Sequence, residues 1–192
     1  MKFNADTLII LSSILVMGFF FNINFFGDNL DTVVSKVDNR KYEVQPKEDS
    51  QEAADLIANI RKNLILLVNH LIKITPPDED KIILLKKNFN PDRLKEGVDN
   101  PEYTSYSINK GEQIVLCLRS KDKLMDINTM LFVVLHELAH LATETIGHDE
   151  TFWDNFRWIL EEAINIGIYK KQDFDKNPVE YCGMTITSSP LD

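Results

Sequence analysis

The chain has 192 residues, of which 44% are hydrophobic and 27% are charged, and its formal net charge is −9. This length and composition predict one globular domain with a sizeable hydrophobic core, or one such domain with an appendage. Proteins that bind the phosphate backbone of DNA or RNA are usually basic, so the acidic balance argues against nucleic acid as the main partner.

Residues 8–26 read LIILSSILVMGFFFNINFF and form a long apolar stretch without charged side chains. A helix of this length spans about 28 Å, close to the roughly 30 Å of hydrocarbon in a bilayer. Because no small residues at A-x-A spacing follow, we interpret residues 1–26 as an uncleaved transmembrane anchor, with a removable signal peptide as the alternative. The number of Lys and Arg residues on either side of the span slightly favours a cytosolic position for the rest of the chain. The sequence does not decide on which side of the membrane the domain lies.

Residues 27–50 are polar and show no sustained apolar period, which predicts a stalk before a folded domain of residues 51–192. Within this domain, apolar residues recur at helical spacing over residues 52–74, so a long helix is expected there. A short helix is expected over residues 79–88. His70, near the end of the long helix, is interpreted as a surface residue or a partner of the helix dipole.

Two strand-like runs flank the sequence NKGE at residues 109–112, which is a good connection for a β-hairpin. In the second run, Ile114, Leu116 and Leu118 alternate with a mixed set of residues, so that one face is clearly apolar. We therefore predict a two-stranded ribbon that further strands extend, at positions which the sequence does not specify.

The chain has two cysteines, Cys117 and Cys182, and they do not form a C-x-x-C pair. Two cysteines do not make a disulfide framework, so two buried free thiols are the preferred interpretation. A disulfide formed in an oxidising compartment is the alternative. The cysteine content therefore leaves the compartment undecided.

Two more helices are predicted in the C-terminal half of the chain. Asp126 or Asn128 can cap the first, which carries a strongly apolar sequence to about Thr145 and is broken by Gly147. The second covers about residues 149–169, with an aspartate as its first residue and cap. Both helices are long enough to form the main packing surfaces of a small domain.

Trp153 and Phe156 lie on the apolar stripe of the second helix, and aromatic residues at helical spacing usually belong to the core. The tail after this helix is strand-like between Pro178 and Pro190. The predicted elements together indicate an α+β fold, mostly helical, with a short β-ribbon.

Residues 136–148, HELAHLATETIGH, contain three of the four histidines of the chain. Positions four apart on a helix lie on the same face, so His136 and His140 can present two imidazoles to one metal ion. Glu137 points to the side of this pair, where its carboxylate can act on a metal-bound water as a general base. The H-E-x-x-H pattern therefore predicts one zinc ion in a metallopeptidase site.

A catalytic zinc ion needs a third protein ligand and an open fourth position. His148 is the preferred third ligand, because Gly147 permits a left-handed backbone that turns the chain back toward the helix. Glu144, one turn beyond the second histidine, and Glu161 or Glu162 on the next helix are the alternatives.

The sequences HELAHL and GHDETFW resemble the WLM and SprT-like zinc metallopeptidase domains, over about residues 100–185. The matching positions are His136, Glu137, His140, His148 and the Phe152-Trp153 pair. The chain is also similar to the small membrane-anchored WLM-like proteins of large DNA viruses. The resemblance implies a small zincin-like domain, a strand ribbon beside the active helix, one zinc ion and hydrolysis of peptide bonds. Cellular members act on protein crosslinked to DNA and carry basic DNA-binding elements, so that substrate is not carried over to this acidic chain.

The sequence thus predicts a membrane-anchored zinc-dependent metallopeptidase that acts on a protein or peptide, with zinc-activated water as nucleophile and Glu137 as general base. The alternative is a non-catalytic membrane-anchored interaction protein with a structural zinc ion, for which this glutamate is not needed. Tyr181 is a candidate for stabilising the oxyanion, although packing at a strand edge is the preferred interpretation. Cys182 as a fourth metal ligand is less favoured.

Overall fold

The computed structural model describes residues 30–98 and 104–192. In this part of the chain there are four helices: α1 (Ser50–Ile74), α2 (Asp80–Asn88), α3 (Ile127–Leu141) and α4 (Glu150–Asn165). Each coincides with a helix that the sequence predicted. None of these helices is both long and apolar enough to cross a bilayer. The predicted transmembrane anchor, residues 1–26, lies outside the described residues.

The described residues also form nine short strands in four small sheets. The strands are β1 (Asp31–Val34), β2 (Lys41–Val44), β3 (Leu94–Glu96), β4 (Tyr106–Ile108), β5 (Gln113–Leu116), β6 (Arg119–Ser120), β7 (Lys123–Leu124), β8 (Val179–Tyr181) and β9 (Met184–Ile186). β3, β5 and β4 make a three-stranded sheet, and the other strands pair as β1–β2, β6–β7 and β8–β9. Helices beside small, mainly antiparallel sheets confirm the predicted α+β class.

The three-stranded sheet has β5 in the middle, with β4 antiparallel on one side and β3 parallel on the other. The predicted hairpin is confirmed, since residues 109–112 connect β4 to β5. Gly111 in this turn has a φ of 98°, and a Cβ atom there would lie 2.3 Å from the carbonyl oxygen of Asn88. Glycine is therefore the residue that fits this close approach.

The N-terminal hairpin β1–β2 lies in the segment for which a stalk was predicted. Tyr42 and Val44 are buried in the core, and the Ser35 hydroxyl donates a hydrogen bond of 2.6 Å to Asp55 on α1. The packed domain therefore begins by Asp31, about twenty residues before the predicted boundary. Strands of four residues are too short to show a reliable apolar period, which explains the difference.

Helix α3 runs through the middle of the core and packs against α1, α2 and α4. Between Thr129 and Leu141, the residues other than His136 and His140 are all buried. Asp126 caps the helix, as its side chain accepts hydrogen bonds from the backbone N–H groups two and three residues further along the chain, at 2.9 and 3.0 Å. Burying one large apolar side chain contributes about 1.5–3 kcal/mol, so packing holds this helix firmly in place.

Cys117 and Cys182 form a disulfide with a Cα–Cα distance of 6.4 Å, so the preferred prediction of two free thiols is wrong. The bond ties the chain after β5 to the turn between β8 and β9. Since 65 positions separate the two residues along the chain, only the folded structure brings them together.

Candidate metal centre

His136 and His140 lie on one face of α3, one turn apart, with ring centroids 4.9 Å from each other. They interrupt an otherwise buried run of residues and remain partly accessible, so their face of the helix borders a cavity. This arrangement follows directly from the four-residue spacing in a regular helix. The helix thus presents two imidazole rings toward one point at the surface of the domain.

His148 joins the first two histidines from the loop after α3. Its Nε2 atom lies 3.0 Å from Nε2 of His136, and its ring centroid is 4.9 Å from that of His140. The chain reverses between Leu141, where the helix ends, and Gly147, whose φ is 102°. The helix stops four residues earlier than predicted, and the extra loop length gives the chain room to return.

The backbone carbonyls at the end of α3 and in the following loop receive hydrogen bonds from three distant side chains. Asn88 Nδ2 donates to Leu141 (3.0 Å), Asn155 Nδ2 donates to Ala142 (3.2 Å), and Lys110 Nζ donates to Thr143 (2.9 Å), Glu144 and Thr145 (3.4 Å). These donors come from α2, α4 and the β4–β5 turn. The path of the loop that carries His148 is therefore fixed by tertiary contacts.

Phe152 on α4 packs against the three histidine rings. Its ring centroid is 4.4 Å from that of His140, 4.6 Å from that of His148 and 4.9 Å from that of His136, and the side chain is fully buried. Such contacts restrict the rotation of the imidazoles and shield them from water on one side. The histidine cluster is thus open toward the cavity and closed toward the core.

The two aromatic residues that were predicted to belong to the core differ from each other. Phe156 is buried, as predicted, and its ring lies 5.3 Å from that of His136. Trp153 is 41% exposed, so its assignment to the core is wrong. Its ring instead lies 5.5 Å from the ring of His148 at the edge of the site. The apolar spacing of the helix could not show that the loop carrying His148, and not a core element, lies beside this tryptophan.

The donor set fits a single zinc ion. The available nitrogens of His136, His140 and His148 all lie within 4.8 Å of one another, and no other such cluster of His, Cys, Asp or Glu occurs in the described residues. Nitrogens that bind one tetrahedral zinc ion at about 2.0–2.1 Å lie about 3.3 Å apart, so small ring rotations suffice.

The protonation states of the first two histidines also suit metal binding. Burial, followed by repulsion from the neighbouring histidines, lowers the pKa of His136 to about 3. Burial, followed by repulsion from His148 and Lys110, lowers the pKa of His140 to about 4. Both rings are therefore neutral near pH 7, and the neutral imidazole is the form that ligates a metal.

Glu137 lies beside the histidine cluster on α3 and is buried. Burial raises the pKa of its carboxyl group to about 7, and hydrogen bonds from Ser107 on β4 partly offset this effect. The residue lines the same cavities as His136 and His148. A carboxyl group that titrates near neutral pH beside a metal position has the properties of a general base or acid.

The other predicted candidates for a third ligand do not approach the histidines. Glu144 lines a different cavity, together with Asp80 and Lys81. Glu162 is hydrogen-bonded to His70 at 2.7 Å, and this contact joins α4 to α1. Glu161 is exposed on α4 and does not belong to the cluster of metal-binding side chains.

Tyr181 at the end of β8 is fully buried, and its hydroxyl shares a hydrogen bond with the Ser105 hydroxyl. Burial, with a contribution from the charge of nearby Glu137, raises the pKa of Tyr181 to about 12, so the hydroxyl stays protonated at neutral pH. The tyrosine therefore packs at a strand edge, as preferred, and also lines a cavity with His136 and Glu137. Cys182 is held in the disulfide and is not available as a metal ligand.

The histidine cluster lies between two open cavities. The first cavity, of about 540 Å³, is bounded by the β4–β5 hairpin and the loop that carries His148. The second cavity, of about 370 Å³, is bounded by α3 and the β8–β9 hairpin. His136, Glu137 and His148 line both of them, so a continuous cleft passes over the centre.

Sequence reasoning missed the supporting residues Lys110, Ser105 and Ser107. They have no chemical signature in the sequence, because a lysine in a hairpin turn and serines in or beside a strand are common in any protein. Only Lys110 had a local signal, as it lies in the turn of the predicted hairpin beside Gly111. Its contact with the end of α3 depends on how the sheet packs against the helix.

Comparison with known proteins gives one family and several viral relatives. Residues 78–190 match the WLM domain. An uncharacterized protein of Acanthamoeba polyphaga mimivirus is 35% identical over 164 residues, which cover 83% of this chain and 83% of that protein. An uncharacterized protein of Invertebrate iridescent virus 6 is 30% identical over 169 residues, which cover 79% of this chain and 86% of that protein.

Among solved structures, the crystal structure of Wss1 from Saccharomyces cerevisiae is similar at 21% identity, with a TM-score of 0.48. The match covers 64% of this chain and 85% of the yeast chain. A Wss1 mutant matches at 20% identity and a TM-score of 0.47, over 66% of this chain and 91% of the other.

Proposed function

The chain belongs to the WLM domain family, and from this premise we propose that it is a zinc-dependent metallopeptidase that hydrolyses peptide bonds. One observation carries the proposal: three imidazoles that converge from α3 and the loop after it, beside a buried glutamate, in a cleft open on two sides. An extended peptide that occupied both cavities would pass beside His136, Glu137 and His148, which line both of them. The family relationship supports the same reaction class.

In this proposal His136, His140 and His148 hold one zinc ion. The chemistry that bound zinc supplies is Lewis acidity toward the scissile carbonyl and toward the attacking water. Phe152 and the side chains that donate to the end of α3 keep the three rings in place, so little reorganisation is needed when the ion binds. The open cavities leave room for substrate at the remaining coordination position.

Glu137 is the general base in this scheme. Its carboxyl group is buried, and a neighbouring cation favours the carboxylate form that accepts a proton. Burial raises the pKa of the group to about 7 and a bound cation would lower it again, so near neutral pH the group can take a proton from water and return it to the leaving amine. Tyr181, protonated and in the same cavity, is the candidate donor to the carbonyl oxygen as that oxygen gains charge.

The alternative is a non-catalytic interaction protein with a structural zinc ion. Structural zinc sites are usually closed by four protein ligands, whereas three side chains converge here beside an open cleft. A structural site also gives no reason to bury the Glu137 carboxyl group next to the ligands, because taking a carboxylate out of water is costly. Both observations favour the enzyme over the interaction protein.

We further propose that residues 8–26 anchor the protein in a membrane as a single span. The Cys117–Cys182 disulfide supports placing the domain on an oxidising side, because disulfides are rare in the reducing cytosol. The number of Lys and Arg residues beside the span, in contrast, slightly favours the cytosolic side. Protease protection in sealed vesicles tests the topology, and digestion of the domain from the cytosolic side would contradict it.

The catalytic proposal is tested with Glu137→Gln, measured for peptide hydrolysis and for zinc content. We expect hydrolysis to fall at least about 100-fold, the lower range of general acid–base catalysis, with zinc content unchanged. Glu144→Gln, in the nearby loop and outside the cluster, is the matched control and keeps both properties. Equal hydrolysis by Glu137→Gln and the unmodified protein would exclude this mechanism.

A further inference from the structure

The second cavity differs in chemistry from the first. Its apolar lining comes from Phe132 and Val133 on α3 and from Met184 and Ile186 on β9. The other contributions are hydroxyl groups of threonine, serine and tyrosine, besides the residues of the metal centre. No lysine, arginine or aspartate of the described residues lines it, whereas the first cavity includes Lys110.

The outer wall of the second cavity is the β8–β9 hairpin, which is attached to the rest of the domain at its turn. The disulfide of Cys182 with Cys117 holds the turn, and the adjacent Tyr181 hydroxyl is bonded to Ser105 beside the cavity. Met184, the first residue of β9, is 50% exposed and faces the cavity opening. These two long-range contacts therefore hold the β8–β9 hairpin in position against the domain.

The size and lining of the cavity select the side chains that it can hold. A volume of about 370 Å³ accommodates one or two residues of a peptide. An acidic side chain in this place would lose water and meet the Glu137 carboxylate, and a basic side chain would lose water beside the proposed position of the metal cation, so both are unfavourable. An aliphatic or aromatic side chain would cover the apolar side chains of α3 and β9 and release water from them.

We propose that the second cavity binds an uncharged, apolar side chain of the substrate, on a residue directly flanking the scissile bond. The inference rests on the proposed peptidase function, because the metal centre defines where that bond lies. The position follows from His136 and Glu137, which belong both to the centre and to the cavity wall. The β8–β9 hairpin is then a specificity-determining element of this enzyme.

The test uses the full chain, loaded with zinc, and an equimolar mixture of peptides that contains every residue type at each position. Cleavage sites are mapped by mass spectrometry. We expect Leu, Ile, Met or Phe to be enriched, and Asp, Glu, Lys and Arg to be depleted, at one position next to the cleaved bond. A discrimination of at least about 10-fold in kcat/KM is expected between an apolar and a charged residue there.

The variant Met184→Glu places a carboxylate at the cavity opening. We expect kcat/KM for peptides with the apolar residue to fall about 10-fold, and the preference to shift toward Lys or Arg at that position. Leu66→Glu on α1 is the matched control, because Leu66 is 51% exposed and lies outside both cavities. Its cleavage profile should equal that of the unmodified protein, and both variants should keep their zinc.

The outcomes separate the two proposals. If the zinc-loaded protein cleaves no peptide at all, the proposed function fails, and this inference fails with it. If it cleaves peptides without preference for an apolar flanking residue, the function stands and the inference is overturned. An unchanged cleavage profile for Met184→Glu would also overturn it, since the hairpin would then play no part in specificity.

Discussion

His148 Nε2 lies 3.0 Å from Nε2 of His136, although a helix end and a full reversal of the chain separate the two residues. Two imidazoles at this distance can share one hydrogen bond, or both can direct their lone pairs at one cation. The third ring, of His140, lies equally close to both, with centroids at 4.9 Å. A cation engages all three rings together, whereas one hydrogen bond between His136 and His148 leaves out the ring of His140.

Replacing the third histidine tests this arrangement most directly. We expect His148→Ala to bind zinc at least about 100-fold more weakly, since loss of even an outer-shell partner costs 10–100-fold. His70→Ala is the matched control, because His70 is the remaining histidine of the chain and bonds to Glu162 away from the centre. Zinc is measured by elemental analysis and by competition with a chelator. Retention of full affinity by His148→Ala would mean that another residue completes the site.

Lys110 is expected to act on the metal centre through the backbone that carries His148. In Lys110→Met the carbonyl groups of residues 143–145 lose their common donor, so the loop should move more freely. We expect about 10-fold weaker zinc binding and an altered visible absorption spectrum of the cobalt-substituted protein. Lys110→Arg should largely restore both, and Lys123→Met, in the β6–β7 hairpin, should change neither. A Lys110→Met variant with the unmodified affinity and spectrum would refute this role.

The disulfide should contribute substantially to stability. It closes a loop with a sequence separation of 65, for which the chain-entropy model gives a stabilisation of about 4 kcal/mol. We therefore expect the double variant Cys117→Ser/Cys182→Ser to lose roughly this free energy of unfolding in urea titrations. A reducing agent should lower the stability of the unmodified protein by a similar amount and leave the double variant unaffected. Equal stability of the oxidised and reduced forms would contradict the prediction.

The contact between α4 and α1 should make stability depend on pH. The hydrogen bond from His70 lowers the pKa of Glu162 below its usual value, which is near 4.3. A carboxyl group with a lowered folded pKa stabilises the protein above its unfolded pKa and stops doing so as the pH falls through the folded pKa. Glu162→Gln should therefore lose up to about 1 kcal/mol at pH 7, and this loss should shrink on acidification below about pH 4.

The neighbouring Glu161→Gln is the control for this experiment, since Glu161 is exposed and its substitution should have little effect at any pH. Unfolding in urea at pH 3 and at pH 7 gives the comparison. A loss of the same size at both pH values would show that Glu162 acts through packing and not through its charge. The zinc content of Glu162→Gln should equal that of the unmodified protein, because Glu162 lies outside the histidine cluster.

Apolar spacing in the sequence was enough to predict α1, α3 and α4, because each helix buries one or more faces along its whole length. The turn at residues 109–112 could be predicted equally well, since its glycine adopts a backbone conformation that most other residues avoid. The hairpin β1–β2 and the exposure of Trp153 could not be predicted from the sequence pattern. Both depend on which distant part of the chain packs against a short segment, and the local spacing of apolar residues carries no information on that contact.

The relation of His136, Glu137 and His140 is a property of the sequence alone, because residues four apart on any regular helix share a face. The approach of His148, the disulfide between Cys117 and Cys182, and the apolar cavity beneath the β8–β9 hairpin were decided by the tertiary structure. Each of these features joins residues that are separated by a chain reversal or by many positions. Their distances are set by packing of the whole core around α3, where no short-range rule applies.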